Sequence, residues 1–222
     1  MKRIVLNITF ATLLLTGLVA CKEKGGDATT GEAQEVAEAT ATATDYQVNT
    51  EISQIVWLGQ KPTGKHHGTV QLASGTLAVS EGTIEAGKFT IDMNSITDLD
   101  LEGEMKENLE AHLKGTVAGK EGDFFDVTKY PVASFELTGI SKKEGKSMVA
   151  GNLTIKEKTH AIEFPATILT EDTMITLSSE PFQIDRTKWD VNYGSKTIFG
   201  DLGDKFINDM IELTIKVVAN KS

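Results

Sequence analysis

Apolar and polar side chains alternate along most of the chain after Tyr46, and this pattern constrains the fold more than any other feature of the sequence. Phe89, Ile91 and Met93 alternate with polar neighbours, for example, and the same spacing recurs in later segments. Because successive side chains of a strand point to opposite faces, each run predicts a strand with one apolar face. Glycine-rich turns separate about eight such runs, which indicates an all-β fold.

One segment departs from this alternation and has the spacing of a helix. Its apolar residues recur every fourth position, at Leu101, Met105, Leu109 and Leu113. Asp100 is placed to cap the start of the helix and Gly115 to end it. We therefore expect a helical excursion between the early and late strands. An antiparallel set of this size hides its edges best by closing, which predicts an eight-stranded antiparallel barrel with room for packed side chains or one small ligand.

Residues 1–20 have the layout of a secretory signal peptide. Lys2 and Arg3 precede an apolar stretch that is shorter than the roughly 20 residues of a membrane-spanning helix. Cys21 is the only cysteine and follows in the form of a bacterial lipoprotein signal, which predicts its lipidation and a membrane anchor made of acyl chains. Lys22 in place of an aspartate favours an outer-membrane lipoprotein that faces the periplasm or the cell surface. The alternative is an ordinary signal peptide followed by a chance cysteine.

The composition divides the remaining chain into a tether and one domain. Residues 21–44 lack aromatic side chains, and between Gly25 and Asp45 the charged residues are all acidic. Such a segment buries too little apolar surface to offset its ordering entropy, so we expect a disordered acidic tether. Residues 45–219 form the predicted folded domain. The net charge of the chain is -10, which repels phosphate backbones and argues against a nucleic-acid partner.

Two short motifs resemble binding loops but break their patterns. The segment Gly59–Lys65 resembles the start of a phosphate-binding loop, yet His66 stands where a Ser or Thr would hold magnesium. The residues that follow alternate like a strand, so we interpret this segment as a hairpin turn. The segment Asp98–Gly103 resembles half of a calcium loop, but Leu109 occupies the position of the bidentate glutamate.

Other candidate chemistry is equally weak. The four histidines, His66, His67, His112 and His160, show no metal-ligand spacing, so we predict no metal site; a zinc site assembled across strands is the alternative. Ser195 does not lie in a Gly-x-Ser-x-Gly elbow, and no catalytic set stands out. We therefore expect a protein that is not an enzyme and that uses no cofactor apart from a bound lipid.

A series of segments carries a resemblance to a known family. They are Gly87–Ile96, His112–Lys114, Asp123–Pro131, Ala133–Phe135, Gly151–Ile155, Glu163–Pro165 and Ile184–Trp189. In this order and spacing they resemble the YceI family of polyisoprenoid-binding proteins, over about Tyr46 to Ala219. The resemblance implies a lipocalin-like barrel with an apolar tunnel that holds a long amphiphile, such as an isoprenoid quinone or a polyprenyl chain, outside the cytoplasm. Glu157 and Asp190 replace glycines that are usual in the family, which puts the geometry of two turns in question.

The resemblance and the alternation together suggest a ligand-binding wall and a role. We expect the wall to comprise Trp57, Phe89, Ile91, Met93, Leu109, Leu113, Phe135, Leu137, Leu153, Ile155, Phe164 and Phe182. Lys61, Lys65 and Arg186 are the nearest cations for a pyrophosphate head group. Asp185 and Arg186 either pair with each other or contact the ligand, and Phe124 and Phe125 either close the base of the barrel or contact the ligand.

The predicted function is that of a lipid-anchored protein that holds a long amphiphile for carriage, storage or envelope stress protection. Its predicted partners are this lipid and the membrane, and a dimer is compatible with the sequence. A filled barrel that acts as a structural or interaction module is the main alternative. An enzyme acting on a lipid is a second one. The two interpretations that lack catalysis differ in whether the barrel contains a void.

Overall fold

The computed structural model describes residues 26–222, and strands dominate this part of the chain. The strands are β1 Gly26–Asp27, β2 Thr29–Gly31, β3 Thr44–Val48, β4 Gln54–Lys61, β5 Gly64–Ser80, β6 Thr83–Asp98, β7 Val132–Lys143, β8 Lys146–Ile155, β9 Lys158–Thr170, β10 Met174–Ser179, β11 Phe182–Asp185 and β12 Met210–Lys221. The α-helices are α1 Gly103–Lys114 and α2 Lys196–Phe199, and short 3-10 helices span Arg186–Trp189 and Gly203–Lys205. The predicted signal peptide, Cys21 and residues 22–25 lie outside the described residues.

Eight strand positions close into a ring, so the predicted eight-stranded antiparallel fold is confirmed. The order around the ring is β4, β5, β6, β7, β8, β9, β10 and β12, and β12 pairs with β4 to close it. Strand β3 pairs with β5 and β12, the same two strands that flank β4, and it therefore occupies the same position in the ring. Strand β11 pairs with β12 next to the segment that pairs with β10. Every pairing in the ring is antiparallel, and closure leaves no long open edge. Within residues 26–222, no helix combines the length and the apolar character needed to cross a membrane.

Alternation places one face of each ring strand in the interior, as the sequence indicates. On β6, Phe89, Ile91 and Met93 are buried while Lys88 and Asn94 are exposed. Burying a side chain of this size contributes about 1.5–3 kcal/mol each. The helical excursion also lies where the spacing predicts it, between β6 and β7.

The ends of α1 agree only in part with the prediction. Gly115 ends the helix in the left-handed conformation, with φ of 72°, as expected of a C-terminal glycine. Asp100 does not cap the start of the helix. The N-cap position belongs to Glu102, the residue before Gly103, and its side chain makes no capping hydrogen bond. The carboxylate of Asp100 instead accepts hydrogen bonds from the His67 amide and the His66 ring. Burial raises the pKa of Asp100, but these bonds and the nearby His66 lower it by more, so the net shift is downward.

The prediction of a disordered tether is wrong for residues 26–44. Strand β1 pairs in parallel with β11, and β2 pairs with β9 at residues 161–163. Farther along, the Ala37 amide donates to the Leu137 carbonyl at 3.0 Å. The pairing of β9 with β10 covers only residues 166–170, so backbone groups of β9 and β11 remain to bond this segment. These backbone hydrogen bonds order the segment although its composition offers little apolar surface to bury.

Candidate ligand-binding cavity

The ring encloses a cavity of about 230 Å³. Its wall is formed by the inward side chains of the ring strands, with helix α1 and residues 124 and 125 at one end. The structure places all twelve predicted wall residues on it: Trp57 from β4, Phe89, Ile91 and Met93 from β6, Phe135 and Leu137 from β7, Leu153 and Ile155 from β8, Phe164 from β9, Phe182 from β11, and Leu109 and Leu113 from α1. That these residues contact a ligand stays a prediction.

The sequence prediction missed another part of the wall. Strand β12 contributes four residues at alternate positions, namely Ile211, Leu213, Ile215 and Val217. The far end adds Leu77, Val149 and Leu177, among others. The same two-residue alternation marks these strands, so the signal was present. Without knowing that β12 closes the ring, the sequence could not assign its apolar face to the cavity.

The cavity opens beside the turn between β4 and β5. At the far end, Leu77 and Val149 are each only 1% exposed. Near the turn, the lining residues Gln60, Lys61 and Gly64 are exposed. Lys61 pairs with Gly64 across two residues, so the segment that resembles a phosphate-binding loop is a β-hairpin, as the alternation predicts. The chain therefore provides an apolar interior with its mouth at this hairpin.

Two glycines make room for large aromatic side chains of the wall. A Cβ atom on Gly68 would lie 2.6 Å from Cζ2 of Trp57 and 1.9 Å from the Thr97 carbonyl oxygen. A Cβ atom on Gly151 would lie 2.2 Å from Cζ of Phe135. Such close approach leaves room only for glycine. The positions of Trp57 and Phe135 in the wall thus depend on the strands that face them.

A cluster around His112 holds the helical end of the cavity in place. His112 Nε2 lies 2.7 Å from Asp123 Oδ2, and the His112 ring meets the edges of Phe124 and Tyr193 at centroid distances of 5.0 and 4.7 Å. Phe124 is buried and Phe125 is half-buried, and both line the cavity. The cluster therefore fixes the turn after α1 over the interior.

Arg186 is the buried cation of this end, and it is bound by the protein itself. It is 3% exposed, and its guanidinium donates to the backbone carbonyls of Val191, Ile207 and Asn208. The carboxylate nearest to it belongs to Asp209, with Nη2 and Oδ1 3.7 Å apart. Burial lowers the pKa of Arg186, an effect that nearby carboxylates partly offset.

The predicted ion pair of Asp185 with Arg186 is therefore wrong, because the carboxylate beside Arg186 is that of Asp209. Asp185 Oδ1 accepts hydrogen bonds from the amide and the hydroxyl of Thr187, at 3.0 and 2.6 Å, because it caps the 3-10 helix that follows. Of the other two candidate cations, Lys61 lines the mouth of the cavity and Lys65 is not among its lining residues. Only Lys61 thus combines exposure with a position at the mouth.

Comparison with known proteins agrees with this architecture. A family model described as the YceI-like domain matches residues 46–219. The crystal structure of BcnA from Burkholderia cenocepacia is similar, with a TM-score of 0.59, 22% identity, and coverage of 78% of this chain and 99% of that chain. A polyisoprenoid-binding domain from Saccharophagus degradans, implicated in plant cell wall breakdown, has a TM-score of 0.55 at 13% identity and covers 85% of this chain and 100% of that chain. No curated protein matches significantly. At these identities the two structures support the fold alone.

Proposed function

The chain belongs to the family of YceI-like domains, and on that premise we propose that it binds an isoprenoid or another long lipid in the cavity of the strand ring. The observation that carries this proposal is the cavity itself, about 230 Å³ in volume. Protein interiors are packed as densely as organic crystals, with few voids larger than a water molecule. A filled structural barrel would therefore not leave a void of this size, which favours a binding role.

The wall chemistry suits a long hydrocarbon. Its side chains are apolar over most of the cavity, and burial of a chain there contributes roughly 25 cal/mol per Å² of apolar surface. Polar lining residues lie at the hairpin end, where Gln60 and Lys61 are exposed. We infer that the chain of the lipid lies in the ring and its head group lies at the mouth.

The proposal favours a head group of low charge. Three of the five N–H groups of the Arg186 guanidinium donate to backbone carbonyls, and the side chain is 3% exposed, so this cation is largely committed to the protein itself. Of Lys61, Lys65 and Arg186, only Lys61 is both exposed and at the mouth of the cavity. A quinone, an alcohol or a single carboxylate fits this set better than a pyrophosphate, which needs several cations.

We further propose that Cys21 carries the lipid anchor and holds the domain close to the outer membrane. The signal pattern of residues 1–21 supports the anchor, and Lys22 in place of an aspartate favours the outer membrane. Gly26 already pairs with β11, five residues after Cys21. Five residues span at most about 18 Å. The domain would therefore work beside the membrane, which favours storage or presentation of a lipid over transport between two membranes.

The two tryptophans of the chain provide a direct test of cavity binding. Trp57 lines the cavity, whereas Trp189 is fully buried and is not among its lining residues. Dibromostearic acid, whose bromine atoms quench nearby indoles, should quench the fluorescence of the purified protein. Trp57→Phe should remove most of this quenching, and Trp189→Phe should preserve it. Equal quenching in both variants, or none in the wild type, would contradict binding in this cavity.

Mass spectrometry of the lipids that copurify with the protein would identify the natural ligand class. We expect an isoprenoid or another long-chain lipid in amounts comparable with the protein. Preparations without any bound lipid, combined with a lack of quenching, would favour the filled structural module. Conversion of an added isoprenoid would favour an enzyme.

A further inference from the structure

The pairing of β5 with β6 brings together residues from two distant segments of the sequence. His66 and His67 lie near the start of β5, while Asp98 ends β6 and Asp100 follows it. One ligand atom from each of His66, Asp98 and Asp100 lies within 4.8 Å of the others. We propose that these residues bind a divalent transition-metal ion, with zinc as the preferred ion. This metal site goes beyond lipid binding and does not depend on it.

Asp98 supplies an independent sign that a cation belongs here. Its side chain is 0% exposed, although a carboxylate is rarely buried without a partner. Oδ1 accepts hydrogen bonds from the amides of Asp100 and Leu101, at 3.1 and 2.7 Å. Oδ2 is buried and has no hydrogen-bond partner among residues 26–222. Leaving such an atom unpaired is costly, and a metal ion would provide the missing partner.

The geometry around Asp100 brings the other donors toward the same point. Asp100 Oδ2 lies 2.9 Å from His66 Nδ1, and Asp100 Oδ1 lies 3.2 Å from His67 Nδ1. His67 contacts the other oxygen of Asp100 and is not one of the three clustered ligands. The backbone of Asp98 is held in turn by Glu110, which accepts a hydrogen bond from its amide at 2.9 Å.

The donor types favour zinc over calcium. Imidazole nitrogen with carboxylate oxygen suits zinc and related transition metals, whereas calcium takes six to eight oxygen ligands. One histidine and two carboxylates provide three protein ligands, the number found in zinc sites whose fourth position is taken by water. His66 also lines the cavity, so the ion would lie at its mouth.

A second histidine–aspartate pair in the chain provides a matched comparison. His112 Nε2 and Asp123 Oδ2 lie 2.7 Å apart, much like His66 and Asp100. Within residues 26–222, the only cluster of three or more potential metal ligands is the one at His66. Substitution of His112 should therefore leave metal binding unchanged, whereas substitution of His66 should weaken it, although each variant lacks one histidine.

The test is zinc titration by calorimetry, with zinc content measured by mass spectrometry after dialysis. The chelator-treated wild-type protein and His112→Gln should each bind one zinc ion per chain, and zinc should raise the melting temperature of both. Asp98→Asn keeps an oxygen for the two amides and removes the charge. It should weaken zinc binding by about tenfold or more, and His66→Gln should do the same. Should His66→Gln fail to fold, Asp98→Asn decides alone.

Two outcomes would overturn the proposal. One is equal zinc affinity in the wild type, Asp98→Asn and His66→Gln. The other is a wild-type protein that binds no zinc, which would mean that the cluster is only a hydrogen-bonded pair of His66 and Asp100. Neither outcome bears on the lipid, because the quenching by dibromostearic acid is measured separately on metal-free protein.

Discussion

Phe164 and Phe182 stack face to face, with ring centroids 4.4 Å apart and an angle of 5° between their planes. The two residues belong to β9 and β11, which lie side by side in the ring without pairing with each other. We call this gap in the backbone pairing the seam. Inside the ring, the stacked side chains close this seam. Along the backbone of the same two strands, β1 pairs with β11 at residues 182 and 183, and β2 pairs with β9 at residues 161–163. The segment before the predicted domain is therefore hydrogen-bonded to the two strands that border this seam.

Asn152→Ala should loosen this N-terminal segment. Asn152 is buried and bonds the backbone of Gln34 twice, accepting from its amide at 2.9 Å and donating to its carbonyl at 2.7 Å. Loss of both hydrogen bonds should lower the free energy of unfolding by about 1–3 kcal/mol, measured by urea denaturation. Limited proteolysis should also cut residues 32–43 faster.

Gln34→Ala is the matched control for this prediction. Both hydrogen bonds use the backbone of Gln34, and its own side chain is exposed. The substitution should change the free energy of unfolding by no more than about 0.5 kcal/mol. Similar losses in the two variants would show that Asn152 does not hold the segment through these bonds.

Ala133→Phe should fill part of the cavity and exclude the ligand. Ala133 is 3% exposed and lines the void, whereas its neighbour Val132 is 53% exposed on the opposite face of β7. Added bulk in a packed core usually costs about 1–3 kcal/mol, but a void beside the residue reduces that cost. We expect Ala133→Phe to stay folded and to lose most of the quenching by dibromostearic acid. Val132→Phe should retain it, and unchanged quenching in both would mean that the probe binds elsewhere.

The sequence predicted the strand ring and much of its wall because both follow from local alternation. Phe89, Ile91 and Met93 could be assigned to one face from their spacing alone. The histidines at 66 and 67 and the aspartates at 98 and 100 could not be related in this way, because only the register of β5 with β6 brings them together. The order of residues 26–44 was missed for a similar reason. It depends on backbone groups that other strands leave unpaired, and side-chain composition does not report them.

Glu157→Gly should stabilise the protein. Lys156 and Glu157 form the two-residue turn between β8 and β9, with φ of 49° and 62°. Such left-handed conformations cost a residue with a side chain about 1–2 kcal/mol and cost glycine almost nothing. Glu157 thus has the left-handed backbone conformation that glycine favours, although it carries a side chain. We expect a gain of about 0.5–1 kcal/mol in the free energy of unfolding.

Glu171→Gly is the control for that gain. Glu171 is also exposed and lies in the turn after β9, but it is not among the residues with positive φ. Glycine there should destabilise the protein by about 0.5–1 kcal/mol, because it adds freedom to the unfolded chain without relieving strain. A gain at both positions would show that the left-handed backbone of Glu157 is not the cause.

Arg186→Met should strongly destabilise the segment that follows its 3-10 helix and that bonds to the hairpin at the mouth of the cavity. The guanidinium holds three backbone carbonyls, and the Asn208 amide in turn donates to the Gln60 carbonyl of the hairpin at 2.8 Å. Removing the cation leaves the buried Oδ1 atom of Asp209 without its counter-charge. Breaking a buried pair in this way typically costs about 3–5 kcal/mol.

Lys188→Met is the control for this prediction, because it removes an exposed cation from the same 3-10 helix. It should lower the free energy of unfolding by no more than about 0.5 kcal/mol in the same urea denaturation experiment. A loss below about 1 kcal/mol for Arg186→Met would mean that the carbonyls find other donors and that this segment does not depend on Arg186.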